Sequence, residues 1–335
     1  MDLSTRYLGL SLRNPIIASA SPLTGDVGVI RQLEDSGAGA VVLPSLFEEQ
    51  IQEEERLIEI LTSVGADSSP EAGSYFPAAV AYNSGPSGYL DLVARARAAV
   101  DIPVIASLNG THVEGWVDCA QLIEQAGATA LELNIYRIVS DPSVTSARAE
   151  ADCVDLVKAV RSRVTIPVAV KLHPHFSAFG ALARQLDLAG ADGLVLFNRL
   201  YQPDIDLVRL RWTNDIALSG DSEIRLGLLW VSLLAGRLPR ASLAASTGVT
   251  TADEVIKYLL AGADAVMTTS ALLRHGPGRL QSMVADLETW FSARGFDSLT
   301  GIKGLMRRSR PDEEVGERND YIRGLLSYRG PYVRR

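Results

Sequence analysis

The stretch Leu188-Ala189-Gly190-Ala191-Asp192-Gly193-Leu194-Val195-Leu196-Phe197 joins the end of a predicted helix to a short apolar strand. Glycine suits the residue just after a helix, because it readily adopts the left-handed conformation that ends many helices. The same junction, with small residues around a glycine, recurs at Ser36–Ala40, Gln125–Thr129 and Leu260–Asp264. This repetition indicates a chain in which helices and strands alternate.

Short runs rich in valine, isoleucine, alanine and leucine are typical of strands buried on both faces. We predict eight of them: Pro15–Ala20, Ala40–Leu43, Pro103–Leu108, Ala130–Asn134, Pro167–Leu172, Gly193–Phe197, Ser242–Ser246 and Ala265–Thr269. Helical periodicity predicts helices at Gly28–Ser36, Tyr89–Val100, Gly115–Ala126, Ala149–Arg163, Phe179–Ala189, Glu223–Leu234 and Thr251–Ala261. Alternation of this kind in 335 residues predicts the α/β class and a (β/α)8 TIM barrel.

Two regions interrupt the alternation. An insertion after the second strand runs from Ser45 to about Gly88 and opens with a predicted acidic helix, Phe47–Leu61. We expect its acidic residues to form a solvated face, namely Glu48, Glu49, Glu53, Glu54 and Glu55. So long a connection is usually a lid or an interface element. An Arg-rich, helical C-terminal extension is predicted for residues 306–335, after a barrel domain spanning 1–305.

The composition and charge limit the classes of ligand and partner that we expect. The net charge is −8, with both signs spread along the chain, so nucleic acid is not an expected partner. Cys119 and Cys153 are the only cysteines and lack disulfide or metal-ligand spacing, so we expect no metal site and a cytoplasmic location. The N-terminus has no basic segment followed by an apolar run, and we expect no membrane insertion. A small molecule is therefore the expected ligand.

Small polar residues follow the last two strands. Ser246, Thr247 and Gly248 lead into a helix that Thr250 or Thr251 can cap. Thr268, Thr269 and Ser270 form a similar turn after the eighth strand. Helix capping alone accounts for either turn, but barrel enzymes usually bind phosphate at both of these places, and we therefore favour a phosphate site.

Several strand ends resemble one family, the soluble class 1 dihydroorotate dehydrogenases. The residues that carry the resemblance are Asn14-Pro15-Ile16-Ile17-Ala18-Ser19-Ala20, Pro103-Val104-Ile105-Ala106-Ser107-Leu108-Asn109-Gly110, Leu131-Glu132-Leu133-Asn134 and Val168-Ala169-Val170-Lys171-Leu172. The resemblance implies FMN on top of the barrel. It assigns cofactor contacts to Ala18, Ser19, Ala20, Ser45, Asn109, Asn134 and Lys171, and substrate contacts to Asn134, Asn198 and Arg199.

Lys171 also has a physical rationale. A reduced flavin carries negative charge near N1, which a fixed ammonium in a dry pocket stabilises. A strand-end lysine can alternatively form a Schiff base, as in a lysine-dependent aldolase-type barrel.

The substrate half departs from the family pattern. Arg137 stands where the family has its cysteine base, and arginine stays protonated at neutral pH. Pro44 replaces a family lysine, and a family Asn-Ser-Met-Gly segment has no counterpart near Tyr75–Ala78. Arg137 suits an anionic substrate, while Tyr136 is a candidate acid. His173 and His175 are candidates for proton transfer, or loop histidines without a catalytic role.

We therefore expect an FMN-dependent oxidoreductase that acts on a CH–CH or C=C group of a small anionic substrate. The resemblance makes the oxidation of dihydroorotate to orotate one candidate reaction of this class. The electron acceptor is not identified, and the resemblance implies a homodimer. The alternatives are the aldolase-type barrel using Lys171 and a non-catalytic flavin-binding subunit.

Overall fold

The computed structural model describes residues 1–50, 85–110, 113–213, 215–308 and 313–327. Eight parallel strands close into a barrel, and we number them in chain order as β1 (Ile16–Ala18), β2 (Ala40–Phe47), β3 (Val104–Asn109), β4 (Ala130–Asn134), β5 (Val168–Leu172), β6 (Gly193–Leu196), β7 (Ser242–Ala245) and β8 (Ala265–Thr268). Each strand pairs with its neighbours in chain order, and β8 closes the ring against β1. The predicted TIM barrel is confirmed.

Helices follow the strands around the outside of the barrel. They are α1 (Val27–Asp35), α2 (Gly85–Ala99), α3 (Val113–Gln125), α4 (Ser146–Arg161), α5 (Phe179–Leu188), α6 (Ile224–Leu234), α7 (Ala252–Ala261), the short α8 (Ser270–His275), α9 (Arg279–Ala293) and α10 (Glu313–Ser327). The junction glycines Gly37, Gly127, Gly190 and Gly262 have φ values between 94° and 116°, as the repeated junction predicts. The domain boundary at 305/306 stays a prediction. Across the described part of the chain, every helix is too short or too polar to cross a membrane.

The second strand is longer than predicted. It continues past Leu43 to Phe47 because its register against β3 shifts between Val42 and Ser45, around Pro44. Proline has no N–H to donate, so it is tolerated at such a bulge. Most of the predicted acidic helix, and Tyr75–Ala78, lie outside the described residues. The expectation that Glu48 faces solvent was wrong, since this residue is only 6% exposed.

Two hairpins were not predicted from the sequence. One joins Thr5–Tyr7 to Leu10–Leu12, and the other joins Asp204–Asp206 to Arg211–Thr213. The first hairpin closes the N-terminal end of the barrel, where Tyr7, Leu8 and Leu12 pack with the inward-facing strand residues. Strands of three residues are too short for a period-2 pattern to stand out in the sequence.

Alternation along the strands separates two apolar layers. Inward residues such as Ile17, Ile105 and Val195 fill the barrel, while outward ones such as Leu131 and Val170 pack against the helices. Towards the C-terminal ends of the strands the inward positions become polar, namely Ser19, Ser45, Ser107, Asn109, Glu132, Asn134 and Lys171. This change in chemistry locates the candidate site.

Candidate active site

A cavity of about 210 Å³ lies at the C-terminal end of the barrel. It is lined by Ser19, Ala20, Lys171, Phe197, Asn198, Arg199, Ile216, Ala217, Leu218, Ser219, Ser246, Thr247, Gly248, Val249, Met267, Thr269 and Ser270. This lining contains two cations, Lys171 and Arg199, and none of these lining residues is a carboxylate. Each cation has a carboxylate partner outside the lining, since Lys171 pairs with Glu132 at 3.4 Å and Arg199 with Glu223 at 2.9 Å. The groups that face the cavity itself are cationic or neutral, which favours an anionic ligand.

Lys171 reaches this cavity from the inside of β5. The residue is 7% exposed, and its Nζ lies 3.4 Å from Oε1 of Glu132 and 3.5 Å from Oγ of Ser19. Glu132 on the neighbouring strand β4 is completely buried. Both contacts are long, and an ammonium has three protons to donate. Lys171 therefore keeps the capacity to bind a ligand in the cavity.

A chain of amides and hydroxyls links the ends of four strands. The Asn198 side chain, after β6, donates to Asn134 Oδ1 at 2.6 Å, and Asn134 Nδ2 donates to Ser45 Oγ at 3.4 Å. Ser45 Oγ then bonds Ser107 Oγ at 2.8 Å. Asn109, two residues beyond Ser107 on the same face, is 7% exposed, and its side-chain amide makes no hydrogen bond within the described residues. Amide and hydroxyl groups that can donate and accept hydrogen bonds are therefore gathered at this end of the barrel.

The turn after β7 forms the other end of the cavity. Thr247 and Gly248 have φ values of 78° and 75°, and a positive φ is uncommon for threonine. The Gly248 N–H donates to Ser219 Oγ at 3.2 Å, and Ser219 Oγ lies 2.9 Å from Ser270 Oγ. Backbone N–H groups and hydroxyls gathered in this way are the usual ligands of a phosphate group.

Ser219 was not predicted from the sequence. Its signal was the stretch Ala217-Leu218-Ser219-Gly220, a small-residue turn that precedes α6 as the phosphate turns precede their helices. Arg274 fixes this turn by donating to the carbonyls of Leu218 and Ser219, each at 2.9 Å.

Ala18 and Thr268, both predicted to contact the cofactor, serve the scaffold instead of lining the cavity, and Thr251 is a helix cap. Ala18 faces outward and packs in the layer beneath the helices. The Thr268 hydroxyl donates to the Val249 carbonyl at 2.9 Å. Thr251 caps α7, since its side chain accepts from the Asp253 N–H. Ordinary capping therefore accounts for Thr251, as the alternative explanation of this turn predicted.

Arg137 and Tyr136 lie beside the cavity and not in its lining. Arg137 is half exposed, and its Nη1 pairs with Oδ2 of Asp152 at 2.9 Å. The Tyr136 hydroxyl accepts from the Tyr201 N–H at 2.8 Å. Tyr136 and Tyr201 line a second cavity of about 320 Å³, whose wall includes Arg199, Ile216 and Ala217 of the first. The two cavities therefore adjoin.

His173 is held in one place by its neighbours. Its ring stacks on Phe176 at a centroid distance of 4.4 Å, and its Nδ1 accepts from the His175 N–H at 3.1 Å. Burial, followed by the nearby His175, lowers the pKa of His173, against a smaller opposite effect of a hydrogen bond to the Arg137 backbone. His173 is consequently neutral at neutral pH.

Cys153 does not replace the missing cysteine base. It lies on α4 and lines a cavity that Arg137 also borders. Burial raises the pKa of its thiol to about 11, although Arg137 opposes this shift. A thiol with so high a pKa is a poor base near pH 7.

Comparisons with known proteins agree with this geometry. The family described as "Dihydroorotate dehydrogenase" matches residues 2–291. An Aeropyrum pernix protein, provisionally named dihydroorotate dehydrogenase A (fumarate), is 29% identical over 92% of this chain and 98% of its own. The Thermoplasma acidophilum "Dihydroorotate dehydrogenase B (NAD(+)), catalytic subunit" is 26% identical over 92% of this chain and 99% of its own. On these grounds the chain belongs to the dihydroorotate dehydrogenase family.

Proposed function

We propose that the protein is an FMN-dependent oxidoreductase that acts on a CH–CH or C=C group of a small anionic substrate. The observation that carries this proposal is the cavity at the strand ends, which Lys171 and Arg199 line without a carboxylate. Family membership supports the oxidoreductase class. The relatives are named as dihydroorotate dehydrogenases, which supports a substrate similar to dihydroorotate in size and charge.

The donor set fits FMN. Gly248, Ser219 and Ser270 offer an N–H and two hydroxyls to the phosphate, because each hydroxyl can exchange its present internal bond for a phosphate oxygen. Asn134 and Lys171 at the other end suit the polar edge of the ring, where a reduced flavin holds negative charge. When bound, FMN supplies the centre that exchanges hydride with the substrate.

The second cavity is our candidate for the substrate site. Arg199 lies in the wall that this cavity shares with the first. Its Nε pairs with Glu223 at 2.9 Å and its Nη1 donates to the Ala217 carbonyl, so its remaining N–H groups are the ones that would bind a substrate carboxylate. The Tyr136 hydroxyl accepts one hydrogen bond there, so its own proton remains available for transfer to a substrate carbon. Arg137 would contribute positive charge from the side, since arginine cannot act as the base.

The surroundings of Lys171 favour the flavin function over aldolase chemistry. A Schiff-base lysine must attack as the neutral amine. Here Lys171 Nζ forms an ion pair with the buried carboxylate of Glu132 at 3.4 Å, and an ammonium in an ion pair has no lone pair with which to attack. Borohydride trapping with short aldehydes and ketones separates the two functions, because only an aldolase-type lysine would gain the mass of a reduced adduct at Lys171.

Turnover tests the proposal directly. The protein is loaded with FMN, reduced by light under anaerobic conditions, and mixed in turn with fumarate, orotate and NAD+. We expect at least one of these compounds to restore the oxidised flavin spectrum far faster than a buffer blank. Arg137→Cys should gain oxidation of dihydroorotate, whereas the matched Arg148→Cys on α4 should not. Flavin that none of the three compounds reoxidises would instead support a non-catalytic flavin-binding subunit.

A homodimer and a cytoplasmic location stay predictions. The dimer is supported by large exposed apolar side chains on the hairpin of Asp204–Asp206 and Arg211–Thr213, among them Leu207, Val208 and Leu210. Apolar patches of this kind usually mark interaction surfaces.

A further inference from the structure

The buried carboxylate of Glu132 has no role in the proposed function so far. It is completely buried on the inner face of β4, between the inward-facing Ala130 and Asn134. Oε1 lies 3.4 Å from Lys171 Nζ, and Oε2 has no hydrogen-bond partner within the described residues. One carboxylate oxygen is therefore paired weakly and the other not at all.

Stability does not account for such a residue. An unpaired polar atom in a protein interior is costly, and replacing a buried ion pair with apolar side chains is often neutral or stabilising. Deeper in the barrel the inner positions, such as Ile105 and Ala169, are apolar, whereas Glu132 lies in register with Ser107 in a polar layer. That polar layer still leaves Oε2 of Glu132 without a partner in the described residues. The carboxylate therefore calls for a functional explanation.

Three titratable groups on neighbouring elements interact with Glu132, namely Lys171, Tyr7 and Tyr89. Lys171 of β5 is the ion-pair partner of Glu132 in the described part of the chain. Tyr7, from the N-terminal hairpin, is buried, and burial followed by the charges of Glu132 and Asp264 raises its pKa. Tyr89 on α2 is buried, and its pKa is raised by burial and, to a smaller extent, by the charge of Glu132, against a hydrogen bond to the Ser107 backbone. A neutral tyrosine does not compensate a carboxylate. The charge of Glu132 is consequently offset by Lys171, the lysine that lines the cavity.

We propose that Glu132 is a positioning residue, which holds the Lys171 ammonium at the cavity and offsets its charge, thereby setting the reduction potential of the bound flavin. This inference rests on the proposed function, because it needs FMN in the cavity. Without the carboxylate, the ammonium would be uncompensated and would stabilise the anionic reduced flavin more strongly. Without the ammonium, the carboxylate would oppose flavin reduction.

A double-mutant cycle on the FMN-loaded protein tests the charge effect. In Glu132→Gln we expect about tenfold more reduced flavin at a fixed potential, a rise of about 30 mV for a two-electron couple. Lys171→Gln should shift the potential in the opposite direction. The double variant should return to within about twofold of the wild type.

Two further variants separate charge from packing. Glu132→Asp keeps the charge and should stay within about twofold of the wild-type ratio of reduced to oxidised flavin. Glu124→Gln makes the same chemical change at the opposite end of the barrel, where Glu124 accepts from Thr165, and should leave the potential unchanged. If Glu132→Asp shifted the potential as Glu132→Gln does, packing would be the cause and the proposal would be overturned.

Urea unfolding of the FMN-free proteins tests the pairing without the cofactor. Glu132→Gln and Lys171→Gln should each lower the unfolding midpoint, because each leaves one uncompensated buried charge. The double variant should recover at least half of that loss. Additive losses, or FMN-loaded Glu132→Gln at the wild-type potential, would overturn the inference and leave the proposed function standing. A wild-type protein that binds no FMN would overturn both.

Discussion

Gly248 is the residue on which the phosphate end of the site depends most. Its φ is +75°, and a Cβ there would lie 2.7 Å from the Gly220 carbonyl oxygen and 3.0 Å from the Ile224 nitrogen. Gly276 provides a matched control, because its φ is +77° but nothing lies within 4 Å of its Cβ position. The two glycines therefore share a positive φ and differ in the crowding around a Cβ.

We expect Gly276→Ala to lose about 1–3 kcal/mol of stability, because its φ of 77° with ψ of 175° is a conformation that is essentially restricted to glycine. Gly248→Ala should lose more and should also bind FMN at least about tenfold more weakly, or about 1.4 kcal/mol, since the turn must move. Urea unfolding and titration of flavin fluorescence measure the two effects. Equal FMN affinity in both variants would show that this turn does not hold the phosphate.

His173 gives the protein a predicted pH dependence. Burial lowers its pKa below the ordinary value of 6.5, so the unfolded chain takes up the proton first as the pH falls. The stability that neutral His173 contributes is therefore complete above about pH 6.5 and is lost as the pH falls through that value towards the lower folded pKa. The melting temperature should fall less steeply on acidification in His173→Gln than in the wild type. The exposed His275→Gln serves as control, and parallel wild-type and His173→Gln curves would contradict the assignment.

For single residues, the sequence allowed us to predict which polar side chains lie at the strand ends, but not the direction in which each side chain points. Lys171, Ser246, Gly248 and Ser270 could be predicted because a TIM barrel brings the C-terminal ends of its strands together. The Arg137 side chain points towards Asp152, its ion-pair partner on the following helix α4. No local sequence pattern predicts an ion pair between residues of two different elements.

The sequence around Glu132 and around Ser219 contains patterns that indicate a role in the site. A carboxylate in the inward phase of an otherwise apolar strand, Ala130-Leu131-Glu132-Leu133-Asn134, indicates a buried charge with a partner.

The N-terminal hairpin is the element that closes the bottom of the barrel. Leu12 is 1% exposed and packs with Tyr7 and Leu8 in the interior cluster, whereas Ser11 in the same strand is exposed. We expect Leu12→Ala to lower the free energy of unfolding by about 2–5 kcal/mol and Ser11→Ala by less than about 0.5 kcal/mol. FMN affinity should be unchanged in both, because the hairpin lies at the opposite end from the cavity. A loss of FMN affinity in folded Leu12→Ala would contradict this separation of stability from binding.

Most long helices were predicted closely, but α9 (Arg279–Ala293) was missed, as were the short and irregular elements. The helix predicted at Phe179–Ala189 forms at Phe179–Leu188. The extension of β2 to Phe47 depends on a bulge whose cause is pairing with β3, so it is a tertiary effect. The three-residue strands of the two hairpins are likewise fixed by their pairing and not by a local pattern.

Across the whole molecule, the apolar hairpin after β6 is our candidate dimer contact. Val208 and Leu210 are 93% and 82% exposed, which is costly unless another surface covers them. We expect the wild type to sediment as a dimer and Val208→Asp/Leu210→Asp as a monomer. Leu326→Asp on α10, where Leu326 is 74% exposed, tests the C-terminal extension in the same way. If Leu326→Asp were monomeric while the hairpin variant stayed dimeric, the dimer contact would lie in the C-terminal extension instead.

The visible absorption spectrum of the freshly purified protein, with the released cofactor identified by mass, tests the central claim most directly. The proposed function predicts an oxidised flavin spectrum and FMN in the supernatant after denaturation. It also predicts that Gly248→Ala, purified in parallel, is paler than Gly276→Ala. A colourless protein that stays colourless when FMN is added would contradict the proposed function and return Lys171 to consideration as an aldolase-type lysine.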